Sequence, residues 1–415
     1  MTKSRTITSI IVLILFIFSI VGMVWGTYHL IEENSIGAGF TIQWLSIRAL
    51  VIDGSNPYSN QVTAKIQNTV KNEYSFVSWK STKYTSPLFS GVVIFPFALI
   101  GNERLAHGLW STFQLLTIFG IILLGLQITG WKPTWYIFTF FLLFTIFSYH
   151  IVVPWIDGGL PIWSALFLVL AIFLIQNNRN EAGGVFLALA LTQPIMVILP
   201  VLFILIWAAT QKRKKLIFWF FITLIFFTVI CLFLAPDWII QYLRLLFNFS
   251  ENFPPGSPGV LFSSLWPGLG RQLSWILSGL CVLILLFEWW FALKKDFRWF
   301  LWTVCLTTVI SQWIGIPTIP MNFVGMIFAL ILVSATFSER WTRGGQWVAV
   351  LLSVVLFIWE WAQFYGNIIG THPEMQSNLI IPLPLVLLVG LYWVRWWAIK
   401  PKGLLIEELR FGETH

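Results

Sequence analysis

The sequence predicts an all-α fold, a polytopic transmembrane helical bundle of about twelve spans. Three observations predict it. Of the 415 residues, 58% are hydrophobic and only 10% are charged, against ~25% charged in a soluble globular chain. The apolar residues form continuous runs, not the alternation of a β-barrel, so helices must satisfy the backbone in lipid. Lys and Arg gather between those runs, so the net charge of +8 reads as a topology signal and not as a nucleic-acid surface.

The runs place spans at roughly 7–29, 107–128, 134–152, 160–176, 182–193, 195–210, 216–235, 271–293, 299–316, 320–337, 346–365 and 379–397. The first follows the basic MTKSR, is too long for a signal-peptide core and ends without a clear cleavage site. It is expected to stay as a span. The fifth and sixth share the break at Gln193–Pro194 and are expected as a shallow hairpin or as broken helices lining a cavity. In this register 17 of the 25 Lys and Arg fall on one side, including KRKK at 212–215. That side is expected to be cytoplasmic, with both termini on it, in a multi-pass protein of a bacterial-type plasma membrane. Residues 87–101 are short and interrupted by Pro96, and counting them as a span would move KRKK outside. They are expected to lie in or dip into the outer interface.

Two outer segments are then large. The first, 30–106, contains GFTIQWLSIRALVIDG, where Phe40, Trp44, Ile47, Leu50 and Val51 recur at helical spacing. An amphipathic interfacial helix is expected there, followed by a turn at Asn56–Pro57. The second, 236–270, carries NFPPGSPG, which reads as loop. There is no obvious fixed-period repeat, and residues 1–415 read as a single membrane domain. Cys231, Cys281 and Cys305 lie in apolar runs without metal-ligand spacing and read as small buried hydrophobes.

Polar residues gather at the outer boundary: His29, His107, His150 and His372, with Glu32, Glu33, Asp53, Glu73, Glu103, Asp157, Asp237, Glu251 and Glu374. Interfacial histidines with wet tips are one reading, and an outward-opening polar cavity is the other. Glu360 lies deeper, in LFIWEWAQFYG, where an ionisable group faces a partner or a cavity. Glu288 is expected to pair with Lys294 or Lys295. The NFS triplet at 248–250 fits an N-glycosylation acceptor but is common by chance. No Walker loop, dinucleotide fingerprint, HExxH or serine elbow is present, and neither outer segment holds a DxD pair for a divalent metal.

Four stretches in order carry a resemblance. GFTIQWLSIRALVIDGSNPYS follows the first span, and KYTSPLFSGVVIFPFALIG precedes the second. WIDGGLPIW and AGGVFLALALTQPIMVILP come later. Together they resemble the membrane-embedded GT-C glycosyltransferases, in particular the polyprenyl-phosphate-mannose-dependent mannosyltransferases of family 87. The resemblance covers roughly residues 1–235, leaving 236–270 as the second outer loop and 271–415 as variable C-terminal helices.

It implies a transferase that moves a sugar such as mannose from a polyprenyl-phosphate donor to a lipid, glycan or protein acceptor on the outer face. Such a reaction needs a carboxylate to take the acceptor proton and cations to hold the leaving phosphate. It implies no cofactor; the partners are the lipid-linked donor and membrane lipids. The family's acid immediately precedes the Phe of the first stretch, and here that position is Gly39. Its Lys before Pro is here Gln193, and its Gly-Gln is here Gly159–Leu160. Either a neighbouring acid has taken over or the reaction is lost.

The candidate bases are Glu33, Asp53 and Asp157. Asp157 is favoured because Pro and Gly fix its turn, whereas Asp53 can simply start one. The candidate phosphate holders are Lys83, Arg104, Arg244 and Arg271, with His150 and Glu360 as further substrate contacts. Two other readings remain: an inactive lipid-binding or assembly subunit of the same fold, and a secondary transporter, which would favour inverted repeats and mid-depth polar groups.

Overall fold

The computed structural model describes residues 20–29, 37–73, 83–247, 262, 265–314, 319–369 and 381–399. Among them every regular element is helical. After the helical residues 20–29 come Ala38–Val51 (α1) and Asn60–Glu73 (α2). A 3-10 turn, Leu88–Ser90, leads into Gly91–Ala98 (α3), and Glu103–Thr129 (α4) follows. Then come Trp135–Ile146 (α5), Tyr149–Asp157 (α6), Pro161–Gln176 (α7), Asn180–Ala190 (α8), Pro194–Thr210 (α9), Lys214–Leu234 (α10) and Trp238–Phe247 (α11). The C-terminal part holds Gly270–Ala292 (α12), Phe297–Ile310 (α13), Ile327–Arg340 (α14), Thr342–Ile369 (α15), Pro382–Trp393 (α16) and Arg395–Ile399 (α17).

The ends follow local chemistry. Asn102 caps α4 by accepting from the Leu105 N–H at 3.1 Å, and Gly130 closes it at φ +69°. Asp296 caps α13, and Pro opens α7, α9 and α16 at the first turn, where the missing N–H costs nothing.

Among the described residues, five helices are long and apolar enough to cross a membrane, and a sixth span arises if α5 and α6 count as one bent pair. The expected runs mostly reappear as helices, but Pro and Gly cut several below spanning length. Pro161–Gln176, Pro194–Thr210 and Pro382–Trp393 are among those shorter apolar helices, so the described residues do not confirm twelve spans; residues 7–19 of the expected first span lie outside them. The expected span 134–152 is broken and bends by 54° between α5 and α6. The helical stretch Met321–Arg340, a 3-10 turn continued by α14, runs through the centre, its apolar window 94% buried, whereas that of α10 is 17% buried. Phe218, Phe221, Phe226 and Phe233 stand exposed on α10, an apolar surface of the kind that lipid covers. α8 meets α10 closely at Gly184, where a Cβ would stand 2.9 Å from the Phe220 nitrogen. Small residues permit this close helix approach in membranes.

Hydrogen bonds sort the helix ends into two groups. Gln176 reaches the Ile128 carbonyl, Arg213 reaches Ile175 and Asn180, and Gln211 reaches Leu293. Lys215 pairs with Glu181 at 2.8 Å. These bonds put the basic connections near 130, 179, 212–215 and 294 at one end of the bundle. The start of α4 and the end of α6 meet at the opposite end.

Three expectations are corrected. α1 is not an amphipathic surface helix: α2, α3, α4 and α6 pack around it, and its polar Thr41, Gln43 and Ser46 are buried with its apolar residues. Glu288 pairs with Arg395 at 3.0 Å, not with Lys294 or Lys295, because α12 lies beside the chain's C-terminal turn instead of its own following loop. His107 and His150 are only 1% and 2% exposed, so neither has a wet tip. The three cysteines are buried and free, as expected.

Candidate functional site

The site grows from the turn after α6. Asp157 is the last residue of that helix, and Gly158 leaves it at φ +74°, a left-handed conformation suited to glycine. Side chains from α4 hold the turn. Trp110 Nε1 donates to the Gly158 carbonyl and Gln114 Nε2 to the Gly159 carbonyl, both at 2.8 Å. In return Trp155 Nε1 donates to the Ser111 carbonyl at 3.0 Å. The backbone at Asp157 is thus fixed by a neighbouring helix.

The N-terminus of α1 enters this corner through two glycines. Gly37 has φ +102°, and a Cβ there would run into the His107 ring. Gly39 donates its N–H to Asp157 Oδ1 at 3.2 Å. A Cβ at position 39 would overlap Asp157 Oδ2 and lie 2.6 Å from its Cγ. The Asp157 carboxylate therefore occupies the space a side chain at 39 would take. It also meets one of the backbone N–H groups that open α1, where a helix favours negative charge. Phe40 stacks on His107, ring centres 4.6 Å apart, and Thr41 donates to Glu103 at the start of α4. Thr27 donates to the Gly108 carbonyl at 3.1 Å, which brings the helical residues 20–29 against the same turn of α4.

The segment before α3 is pinned to α1 by polar contacts. Gln43 Nε2 donates to Ser86 Oγ at 2.8 Å, and Tyr58 donates to the Ser86 carbonyl at 2.6 Å. Burial pushes the phenols of Tyr58 and Tyr84 up, so both remain neutral hydrogen-bond donors and not bases. Arg48 Nη1 donates to the Ala98 carbonyl at 3.0 Å and its guanidinium lies over the Trp44 ring, closing the C-terminus of α3.

The candidate residues separate. Asp157 is 9% exposed and sits in this corner with Gly39, His107 and Gly158. Arg104 is exposed on the first turn of α4, one turn before His107. Asp53 is at the far end of α1, about 20 Å away along the helix axis, and lies 3.8 Å from Lys65 in solvent. Lys83, Arg244 and Arg271 are exposed, the last two on α11 and α12. Glu33, like His372 and the NFS triplet, lies outside the described residues. His150 and Glu360 are at the other end of α6, 3.5 Å apart and almost fully buried. They border a cavity of about 20 Å³ with Thr145, Ser148 and Ser353, room for one water. The break at Gln193 stands as expected, with Gln193 Nε2 3.4 Å from Asn322 Oδ1.

The contributions of Gly37, Trp110 and Gln114 escaped the sequence reading. The one available signal was two glycines, at 37 and 39, opening an apolar helix, which marks backbone that something approaches closely.

In comparisons with known proteins, the family model described as glycosyltransferase family 87 matches residues 84–317. The match takes in α4, α6 and the Asp157 turn, and it begins after the segment that carries Gly39. No curated protein and no solved structure matches.

Proposed function

Because the chain belongs to glycosyltransferase family 87 and is a membrane glycosyltransferase, we propose that it transfers a sugar from a polyprenyl-phosphate donor, with Asp157 as the base. The acceptor hydroxyl oxygen attacks the anomeric carbon. Its proton passes to the Asp157 carboxylate, the bond from the sugar to the phosphate oxygen breaks, and the lipid phosphate leaves with the electron pair. Arg104 is the cation best placed along the chain to steady that phosphate, one turn before His107. The basic end of the bundle is the cytoplasmic one in this reading, so the corner at Asp157 faces outward. Mannose is the sugar the resemblance suggests, and a lipid, glycan or protein hydroxyl is the acceptor.

One observation carries the choice of Asp157. Its carboxylate fills the space at position 39, where the resemblance expects the acid, and the Gly39 N–H holds one of its oxygens. A carboxylate oriented by a fixed turn meets the requirement for a positioned base.

A second reading draws on the same contact. A carboxylate bonded to an opening N–H of α1 also serves as a helix cap, which would suit an inactive lipid-binding relative. The test is transfer by the purified protein in lipid, using labelled polyprenyl-phosphate sugars and an extracted acceptor fraction. Label should move with at least one sugar. Donor binding without transfer would favour the inactive relative, and neither binding nor transfer across several sugars would refute both lipid-donor readings.

A further inference from the structure

The helix that ends in Asp157 begins at a break, and two adjacent residues of one distant helix hold both sides of that break. α5 stops at Ile146 and α6 starts at Tyr149, and Ser148 provides no side-chain cap. The groups exposed by such a break in an apolar bundle need partners from elsewhere. α15 braces both sides. The Glu360 carboxylate lies against the opening turn of α6, its Oε1 3.5 Å from His150 Nε2, and both side chains are almost fully buried. The next residue, Trp361, donates its indole N–H to the Phe147 carbonyl at 2.8 Å, on the closing side of α5. Phe357 against Phe144, and Trp361 and Phe364 against Tyr149, pack the same junction.

We propose that Glu360, together with Trp361, is a positioning residue for the transfer: it fixes the bend between α5 and α6 and thereby the place of Asp157. This inference rests on the reading of Asp157 as the base. The lever is short and stiff. Nine helical residues make α6 about 13 Å long, so a change of about 10° in the bend moves its far end by about 2 Å. A displacement of about 1 Å at a reacting group can cost ~100-fold in rate. Trp110 and Gln114 restrain the far end as well, so a loss of about tenfold in kcat is expected when the near end is released.

The variants are Glu360→Met and Glu360→Gln, assayed for transfer in lipid beside Asp157→Asn. Met matches the length of Glu, carries no charge and accepts hydrogen bonds only weakly. Phe323, Ile327, Leu330 and Leu356 line the space it would fill, and His150, which loses its neighbour, sets the stability cost. Gln keeps a polar group of the same shape beside His150. Glu360→Met should lower kcat about tenfold with KM for the donor unchanged, and Glu360→Gln should return kcat to within about threefold. A Glu360→Met protein with kcat within twofold of the parent overturns the proposal. So does a tenfold loss in Glu360→Gln, because a polar group of the same shape then does not hold the bend. Should Glu360→Met not accumulate, Trp361→Phe, which removes only the indole donor to the Phe147 carbonyl, takes its place under the same twofold and tenfold limits. If Asp157→Asn keeps full activity, the reading of Asp157 itself fails, whatever the Glu360 variants do. If Asp157→Asn is inactive while Glu360→Met is unaffected, only the positioning role fails.

Discussion

Gly39 and Asp157 are 118 positions apart in the chain, yet the Gly39 N–H donates to Asp157 Oδ1 at 3.2 Å and no side chain at 39 could coexist with that carboxylate. The two positions share a space that holds one acidic side chain. This follows from the fixed turn at Gly158 and from the close entry of α1 that two glycines permit.

Exchange between the two positions is the first expectation. Gly39→Asp alone should be inactive, since its side chain and that of Asp157 demand the same volume. Gly39→Asp with Asp157→Gly should recover a small part of the transfer rate, since the carbonyl oxygen of residue 157, 2.8 Å from the new Cβ, must still shift. In a stability cycle with Gly39→Ala and Asp157→Gly, the coupling should reach about 1–3 kcal/mol, as for residues in direct contact. Additive effects in thermal unfolding would mean the two positions do not touch.

Gly37→Ala should destabilise the protein by more than about 2 kcal/mol. Its φ of +102° disfavours any side chain and a Cβ would strike the His107 ring. His107→Ala should relieve the collision but leave the cost of the dihedral, so the double variant should remain less stable than His107→Ala alone. Unfolding followed by tryptophan fluorescence in detergent measures this.

Arg395→Ala should cost about 3–5 kcal/mol, the range for a buried carboxylate stripped of its partner. Glu288 is 4% exposed and Arg395 sits 3.0 Å away, over the rings of Trp299 and Trp302. Adding Glu288→Gln should recover much of the loss. A loss under about 1 kcal/mol in Arg395→Ala would show that the pair is hydrated.

Asp53→Asn should leave both transfer and stability nearly unchanged. Asp53 is half exposed and only 3.8 Å from the equally exposed Lys65, and such surface pairs contribute ~0–1 kcal/mol. A tenfold loss of transfer would mean that Asp53 acts near the reacting groups.

Much of the bundle was legible in the sequence because apolar runs and charge clusters obey length and solvation alone. The runs at 107–128, 216–235 and 271–293 reappear within a few residues as α4, α10 and α12. The break at Gln193–Pro194 was equally clear, since proline cannot continue the preceding ladder. What sequence could not supply was partnership across the chain. The helical spacing of Phe40, Trp44 and Ile47 suggested a surface helix, but nothing local revealed that α2, α3, α4 and α6 would cover the other faces. Glu288 looked matched to its neighbours in sequence, whereas Arg395 reaches it across more than a hundred positions. At the site, the Gly-rich turn singled out Asp157, but only the fold brings it to Gly39. The bend after Ile146 was hidden because Phe147 and Ser148 interrupt neither hydropathy nor length.

The most direct measurement is single-turnover transfer by Asp157→Asn in lipid, with donor affinity measured on the same protein. Asn keeps an oxygen for the Gly39 N–H and so preserves the cap while removing the base. The expected result is a rate at least about 100-fold lower, in the range attributed to general base catalysis, with donor affinity and thermal stability close to those of the parent. A rate within twofold of the parent would contradict the assignment and leave Asp157 as a cap for α1.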